Sequence, residues 1–241
     1  MSIQGKTVLI TGSGVRIGRS MALAIARQGG NLLIHYFSSK HSAVNLKTEI
    51  EQLGSQADLI QADLSNPESI QRLIDQVKSF SPLYAIVNNA SIFDALDLHS
   101  TNLAEWEQHF MVNLTAPFLL CKAFPSLVRP NQSGRIVNIL DWRALRPGGD
   151  HLPYTISKAA LAALTQSLAV ALAPDITVNG LAFGAILPPS DGGDTEGILQ
   201  SVPAKRWANL DEVGEALLFL LEGPDYITGE ILHLDGGRHL I

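Results

Sequence analysis

Short apolar runs alternate along this chain with longer stretches in which apolar positions recur every three or four residues. The runs Thr7–Ile10, Asn31–Tyr36, Ala57–Ile60, Tyr84–Val87, Arg135–Ile139, Thr177–Val178 and Ile231–Leu234 are predicted strands. Predicted helices cover Ile17–Gln28, Ala43–Leu53, Pro67–Phe80, Leu103–Leu127, a segment from Tyr154 to about Leu172, and Asp211–Leu221. Strands that are apolar throughout, rather than at alternate positions, are buried on both faces, as in a parallel sheet covered by helices. The pattern therefore predicts a single α/β domain over residues 1–241: a Rossmann-type, doubly wound parallel sheet of about seven strands with helices on both faces. Pro188 to Pro203 lacks periodicity and reads either as a mobile lid near the strand ends or as a plain surface loop.

Charge narrows the ligand class. Seventeen Lys and Arg stand against 23 Asp and Glu, a net charge of −6, which offers no broad basic surface to nucleic acid or an anionic membrane. The expected ligand is a small molecule. The N-terminal stretch Met1-Ser-Ile-Gln-Gly-Lys6 lacks the apolar segment of a signal peptide, so a cytoplasmic location is expected. The single cysteine, Cys121, sits in the apolar helical run Phe118-Leu-Leu-Cys and reads as a buried inert thiol. The seven histidines show no ligand spacing with Asp, Glu or Cys, and no metal site is expected.

Candidate chemistry begins at Tyr154-Thr-Ile-Ser-Lys158, where a four-residue spacing on a helix puts a phenol and an ammonium on one face. A cation there is expected to lower the pKa of the phenol and poise it for proton exchange. Thirteen residues before the tyrosine stands Asp141. Its negative charge acts the other way, opposing phenolate formation and partly cancelling Lys158, unless the side chain points to solvent or caps a turn. The Gly-rich turn Thr11-Gly-Ser-Gly-Val-Arg-Ile-Gly18 follows the first strand and opens a helix, where backbone amides can approach a pyrophosphate. At the end of the second strand, His35-Tyr-Phe-Ser-Ser-Lys40 carries no carboxylate to take a ribose 2′-hydroxyl or repel a 2′-phosphate, while Ser38, Ser39 and Lys40 can donate to one. NADPH is expected over NADH.

These motifs resemble the short-chain dehydrogenase/reductase family, in which a Ser usually occupies the position of Asp141. The resemblance runs from Thr11 to the terminal Leu234-Asp-Gly-Gly-Arg-His-Leu240. It implies catalytic roles for Asp141, Tyr154, Lys158 and Asn113, the last as the helix Asn that holds a water linked to the Lys. It also implies cofactor contacts from Gly12, Arg16, Ile17, Gly18, His35, Tyr36, Ser38, Ser39, Asp63, Leu64, Asn89, Ala90, Tyr154, Lys158 and Gly184.

Four details are similar to the pteridine reductase branch: Arg16 in the Gly-rich turn, Phe93 after Asn-Asn-Ala-Ser91, Asp141, and the Asp-Gly-Gly-Arg-His-Leu tail. In that branch the pterin lies between the nicotinamide and an aromatic ring at the position of Phe93. Substrate contacts are thereby implied for Arg16, Ser91, Phe93, Asp141 and Tyr154. The branch often carries an Arg near Ser38, which this chain lacks. Chemically, a carboxylate accepts from ring N–H groups where a Ser would orient a carbonyl oxygen. The expected activity is reduction of a dihydropterin, dihydromonapterin or dihydrofolate. A carbonyl reductase acting on a 3-oxoacyl group and a non-catalytic nucleotide-binding regulator are the alternatives. Related reductases pair helices equivalent to Leu103–Leu127 and the Tyr154 helix, which implies a homodimer or homotetramer, with the C-terminal tail reaching toward a neighbour's site. Trp106 and Trp142 read as packing or subunit-surface aromatics. Trp142, Arg143 and His151 flank the segment between Asp141 and Tyr154 and are candidates for the substrate mouth.

Overall fold

The computed structural model describes residues 2–188 and 195–241. Seven strands, β1 (Thr7–Ile10), β2 (Asn31–Tyr36), β3 (Ala57–Gln61), β4 (Ala85–Asn88), β5 (Gly134–Asp141), β6 (Ile176–Phe183) and β7 (Ile231–Leu234), form one sheet in the order β3-β2-β1-β4-β5-β6-β7. All neighbouring strands pair in parallel, with Leu9 opposite Leu33 on one side and Ile86 on the other. Val8 and Ile10 point into one helical layer and Leu9 into the other, which is why the strand sequences are apolar at consecutive positions. The first layer is built on α1 (Arg16–Arg27), α2 (Lys40–Gln52) and a late helix, Leu210–Glu222; the second on α3 (Pro67–Lys78) and the segment around Leu120 and Phe124.

The chain reverses its direction of winding between β1 and β4, so their carboxyl ends open a crevice at the switch point. Both strands deliver their following loops to it, Gly12–Val15 from β1 and Asn89–Phe93 from β4.

Three departures from the expected bounds bear on the site. The predicted helix Leu103–Leu127 is divided into α4 (Leu103–Phe110), a π-helical turn Met111–Thr115, α5 (Ala116–Ala123) and a 3₁₀ turn Phe124–Ser126. The π turn is centred on Asn113, and such bulges redirect a side chain without ending the helix. The expected two-residue strand at Thr177 runs for eight residues, all buried, because its polar members Thr177 and Asn179 are enclosed. Strand β5 continues to Asp141, which places that carboxylate at the mouth of the crevice. The long helix α6 (Leu152–Leu172) is apolar enough by length and composition to cross a membrane, yet it packs on β5 and β6 and carries Tyr154 and Lys158. The aperiodic stretch from Pro188 to Pro203 contains α7 (Thr195–Gln200); the expected lid otherwise falls largely outside the described residues. The Leu210–Glu222 helix, α8, starts at a capping box in which Asn209 and Glu212 satisfy each other's backbone amides.

Candidate active site

The crevice holds a groove of about 690 Å³ lined by Gly12, Arg16, Ile17, Gly18, His35, Tyr36, Ser38, Ser39, Asp63, Leu64, Asn89, Ala90, Ser91, Phe93 and Tyr154, among others. The tertiary structure thus brings together nearly all the residues expected to bind a cofactor. Lys158 and Gly184 line an adjoining cavity of about 260 Å³. The Gly-rich turn is built tightly. A Cβ on Gly18 would lie 2.5 Å from the Gly12 carbonyl oxygen and 2.7 Å from Asn89 Nδ2, and a Cβ on Gly12, itself at φ +63°, would lie 3.0 Å from Ala90. Arg16 takes a left-handed backbone, φ 51°, at the position where the family pattern has glycine. Its guanidinium donates to the Pro188 carbonyl at 3.3 Å. Thr11 and Asn89 lock the turn to β4: Thr11 Oγ1 accepts from the amides of Asn89 and Ala90, and Asn89 Nδ2 donates to the carbonyls of Thr11 and Gly12.

His35 contributes by bracing. Its Nδ1 accepts from the Gly12 amide at 3.0 Å, and Nε2 donates to the Ala62 carbonyl at 3.1 Å, tying the Gly-rich turn to β2 and the end of β3. Burial pushes its pKa down to about 4, so the ring is the neutral tautomer this pair of bonds requires. Asp63 spends its carboxylate on Ser65, accepting from both its amide and hydroxyl. Ser38 is exposed, and Ser39, the residue before α2, makes no side-chain cap bond to the helix. Both hydroxyls are therefore free of helix capping at the groove's rim.

At the other end of the groove the Tyr154 hydroxyl donates to Asp141 Oδ2 at 3.1 Å. Asp141 Oδ1 meanwhile accepts from the Arg143 amide at 2.9 Å, so the carboxylate both faces the tyrosine and caps the 3₁₀ turn Trp142–Ala144. Lys158 Nζ donates to the Ile139 carbonyl at 2.8 Å and lies 5.7 Å from the centre of the Tyr154 ring. Tyr154 and Lys158 are buried, and Asp141 is partly buried. Burial raises the Asp141 pKa, and burial joined by the Asp141 charge raises that of Tyr154 well above its ordinary value. Burial lowers Lys158 to about 8, against the pull of Asp141. The lowering of the phenol pKa expected from Lys158 is outweighed, in the direction expected from the Asp141 charge. Desolvation and the carboxylate dominate, and they keep the proton on Tyr154.

The Asn113 side chain is committed to the loop after β4. Its Oδ1 accepts from the Ser91 hydroxyl and the Ile92 amide, and its Nδ2 donates to the Ile92 carbonyl and Ser157 Oγ. These bonds make the Asn113 side chain a brace for the Ser91–Phe93 segment; the water-linked role toward Lys158 that the resemblance implies does not involve them. Phe93 is half-exposed and lines both cavities, with its ring edge-on to Tyr154 at 4.5 Å between centroids. Trp142, Arg143 and His151, the candidates for the substrate mouth, border neither cavity, though His151 stacks on Phe93, which borders both. Trp106 stacks on Phe110.

Several lining residues carry no sequence signal of their own: Phe183, Ile186 and Leu187, from the end of β6, close the smaller cavity. Ser157, inside the Tyr-x-x-x-Lys motif, links Asn113 to the Tyr154 carbonyl. The C-terminal tail folds onto its own chain, with the Arg238 guanidinium 4.2 Å from the Trp142 ring centre and Asp235 accepting from the ring and amide of His239. Cys121 is fully buried, with its thiol pushed up to about 12 by that burial. Among the described residues, no group of three His, Cys, Asp or Glu is arranged to hold a metal ion.

Residues 14–239 match the family described as "Enoyl-(Acyl carrier protein) reductase". A 3-oxoacyl-[acyl-carrier-protein] reductase of Synechocystis is 32% identical over 98% of this chain and 98% of its own. Among solved structures, the FolM alternative dihydrofolate reductase 1 of Brucella canis, complexed with NADP, superposes with a TM-score of 0.92 at 33% identity, covering 100% of this chain and 97% of that one. A short-chain dehydrogenase of Burkholderia cenocepacia in complex with NADP gives a TM-score of 0.92 at 32% identity, with 99% of both chains covered.

Proposed function

Because the chain belongs to the short-chain dehydrogenase/reductase family, we propose that it is an NADPH-dependent reductase of a dihydropterin, dihydromonapterin or dihydrofolate, with Tyr154 as proton donor. The observation that carries this reading is the Asp141 carboxylate, hydrogen-bonded to the Tyr154 hydroxyl in a cavity that Phe93 also lines. A carboxylate offers acceptors to ring N–H groups, and a flat heteroaromatic ring stacks favourably on a phenylalanine face. The likeness to a dihydrofolate reductase structure supports the same choice.

The groove fits NADPH. Its glycines sit where any Cβ would collide with neighbouring atoms, leaving space for a pyrophosphate beside the start of α1. Gly12, Arg16, Ile17, Gly18, Asn89 and Ala90 would hold that part, Ser38 and Ser39 the 2′-phosphate, Tyr36, Asp63 and Leu64 the adenosine side, and Tyr154, Lys158 and Gly184 the nicotinamide side. NADPH supplies hydride when bound. Tyr154, kept protonated by burial and by Asp141, gives its proton to the ring nitrogen beside the carbon being reduced. Lys158 stands near enough to stabilise the phenolate left behind. Asp141, Arg16 and Ser91 orient the ring.

NADPH oxidation measured against dihydromonapterin, dihydrofolate, dihydrobiopterin and an acetoacetyl thioester tests the assignment. Turnover of a dihydropterin is expected, and Phe93→Ala should weaken its binding by roughly 1 to 3 kcal/mol while sparing NADPH. Wild-type enzyme that reduces the thioester and no pterin would refute the reading in favour of a 3-oxoacyl reductase, the activity named for the Synechocystis relative.

The same reading includes a cytoplasmic homodimer or homotetramer. Leu103, Phe118, Ile156 and Val170 leave apolar side chains on the outer faces of α4, α5 and α6, the surfaces such an assembly would cover. A monomer in light scattering at micromolar concentration would contradict it.

A further inference from the structure

The ring of His151 lies parallel to that of Phe93, 3.9 Å between centroids at an interplanar angle of 9°. Phe93 lines both cavities and His151 lines neither, so the imidazole covers one face of the phenyl ring without bordering either cavity. His151 is itself held in an unusual pose. It precedes α6 in a left-handed backbone, φ 50°, that non-glycine residues seldom adopt, and such strain persists only where surrounding contacts enforce it. Its Nδ1 donates to the Asp94 carbonyl at 2.8 Å, and the next amide, Leu152, donates to Leu96 at 2.7 Å. From the other side the fully buried His109, at the end of α4, faces the Asp94 amide with Nε2 at 3.5 Å while its Nδ1 is engaged by the Glu105 carbonyl. The residue after Phe93 is thus gripped at its N–H by one histidine and at its C=O by another.

We propose that His151 is a positioning residue that fixes the tilt of Phe93 and so selects flat ring substrates at this site. The inference rests on the dihydropterin reading and deepens it. The stack occupies one face of the phenyl ring and leaves the other to the substrate. Without the imidazole, the half-exposed phenyl ring gains rotamer freedom, and a ring substrate must restrict that freedom on binding. The cost falls on substrate binding. Proton transfer from Tyr154 and the cofactor groove contain no His151 atom and keep their geometry.

The test compares wild type, His151→Ala and His151→Phe in steady-state dihydropterin reduction, with NADPH affinity measured separately by titration. His151→Ala should raise KM at least about fivefold with kcat and NADPH affinity within about twofold, and His151→Phe, which keeps a flat ring without the Asp94 bond, should restore most of the loss. An unchanged KM in His151→Ala overturns the inference. So does a parallel loss of kcat, NADPH affinity and melting temperature, which marks a general structural role, and so does failure of the Phe variant to rescue. Wild-type enzyme with no dihydropterin turnover fails at the earlier step, before any variant is compared, and takes both readings with it.

Discussion

Tyr154 and Asp141 share a hydrogen bond of 3.1 Å in a largely desolvated site, so the acidity of each depends on the other. Serine in place of the aspartate would leave the tyrosine facing a neutral hydroxyl. The carboxylate makes phenolate formation harder, and the site is thereby biased toward delivering a proton.

Tyr154→Phe removes the only hydroxyl on that ring and leaves its bulk. Turnover should fall by about a hundredfold or more, with NADPH binding nearly intact. Steady-state rates and a cofactor titration on the same preparation check this; retained turnover would refute the role.

Asp141→Ser should depress dihydropterin reduction while tolerating simple ketones. It should also lower the pKa of Tyr154, since the second cause of its upward shift after burial is the Asp141 charge. A reduction that needs the protonated phenol is lost as pH rises through that pKa, so the alkaline limb of the rate profile should move to lower pH. A profile that stays in place, or moves upward, would show that the carboxylate does not tune the acid.

Ser38→Asp places a carboxylate at the rim of the groove where none stands. Wild type should prefer NADPH over NADH by at least about tenfold, roughly 1.4 kcal/mol, and the variant should shift toward NADH. Equal affinities of the wild type for both cofactors would overturn the assignment of the 2′-phosphate site.

His35 predicts an acid limit to stability. Its folded pKa of about 4 lies below the ordinary 6.5, so between these values the unfolded chain binds a proton that the folded chain refuses. Its contribution is complete above pH 6.5 and declines as pH falls toward 4, by roughly 3 to 4 kcal/mol at about 1.4 kcal/mol per pH unit. Urea denaturation of wild type and His35→Asn at pH 7 and pH 4.5 checks it: the variant should lose less on acidification. Parallel losses would show that the ring is not the responsible group.

Much of the architecture was legible because the driving force acts on consecutive residues. Strands β1, β2 and β4 are apolar without alternation, and burial on both faces leaves a parallel sheet between helices as the solution. The Gly-rich turn and the Tyr154–Lys158 spacing were legible for the same reason, since each is set by one turn of chain.

What tertiary structure alone decided are relations between distant segments. The full length of β6 was hidden because Thr177 and Asn179 look polar, and they become strand only when Asn179 bonds to Ile227 and Glu230 across the fold. The π turn at Asn113 depends on a partner, Ile92, 21 residues away. The position of His151 against Phe93 is set by two loops that meet only once β4 and α6 are packed. The chain's sequence determined which groups are available for proton transfer; the direction in which Tyr154's acidity moves was decided by burial, because the strength of a charge–charge interaction depends on the solvent that folding excludes.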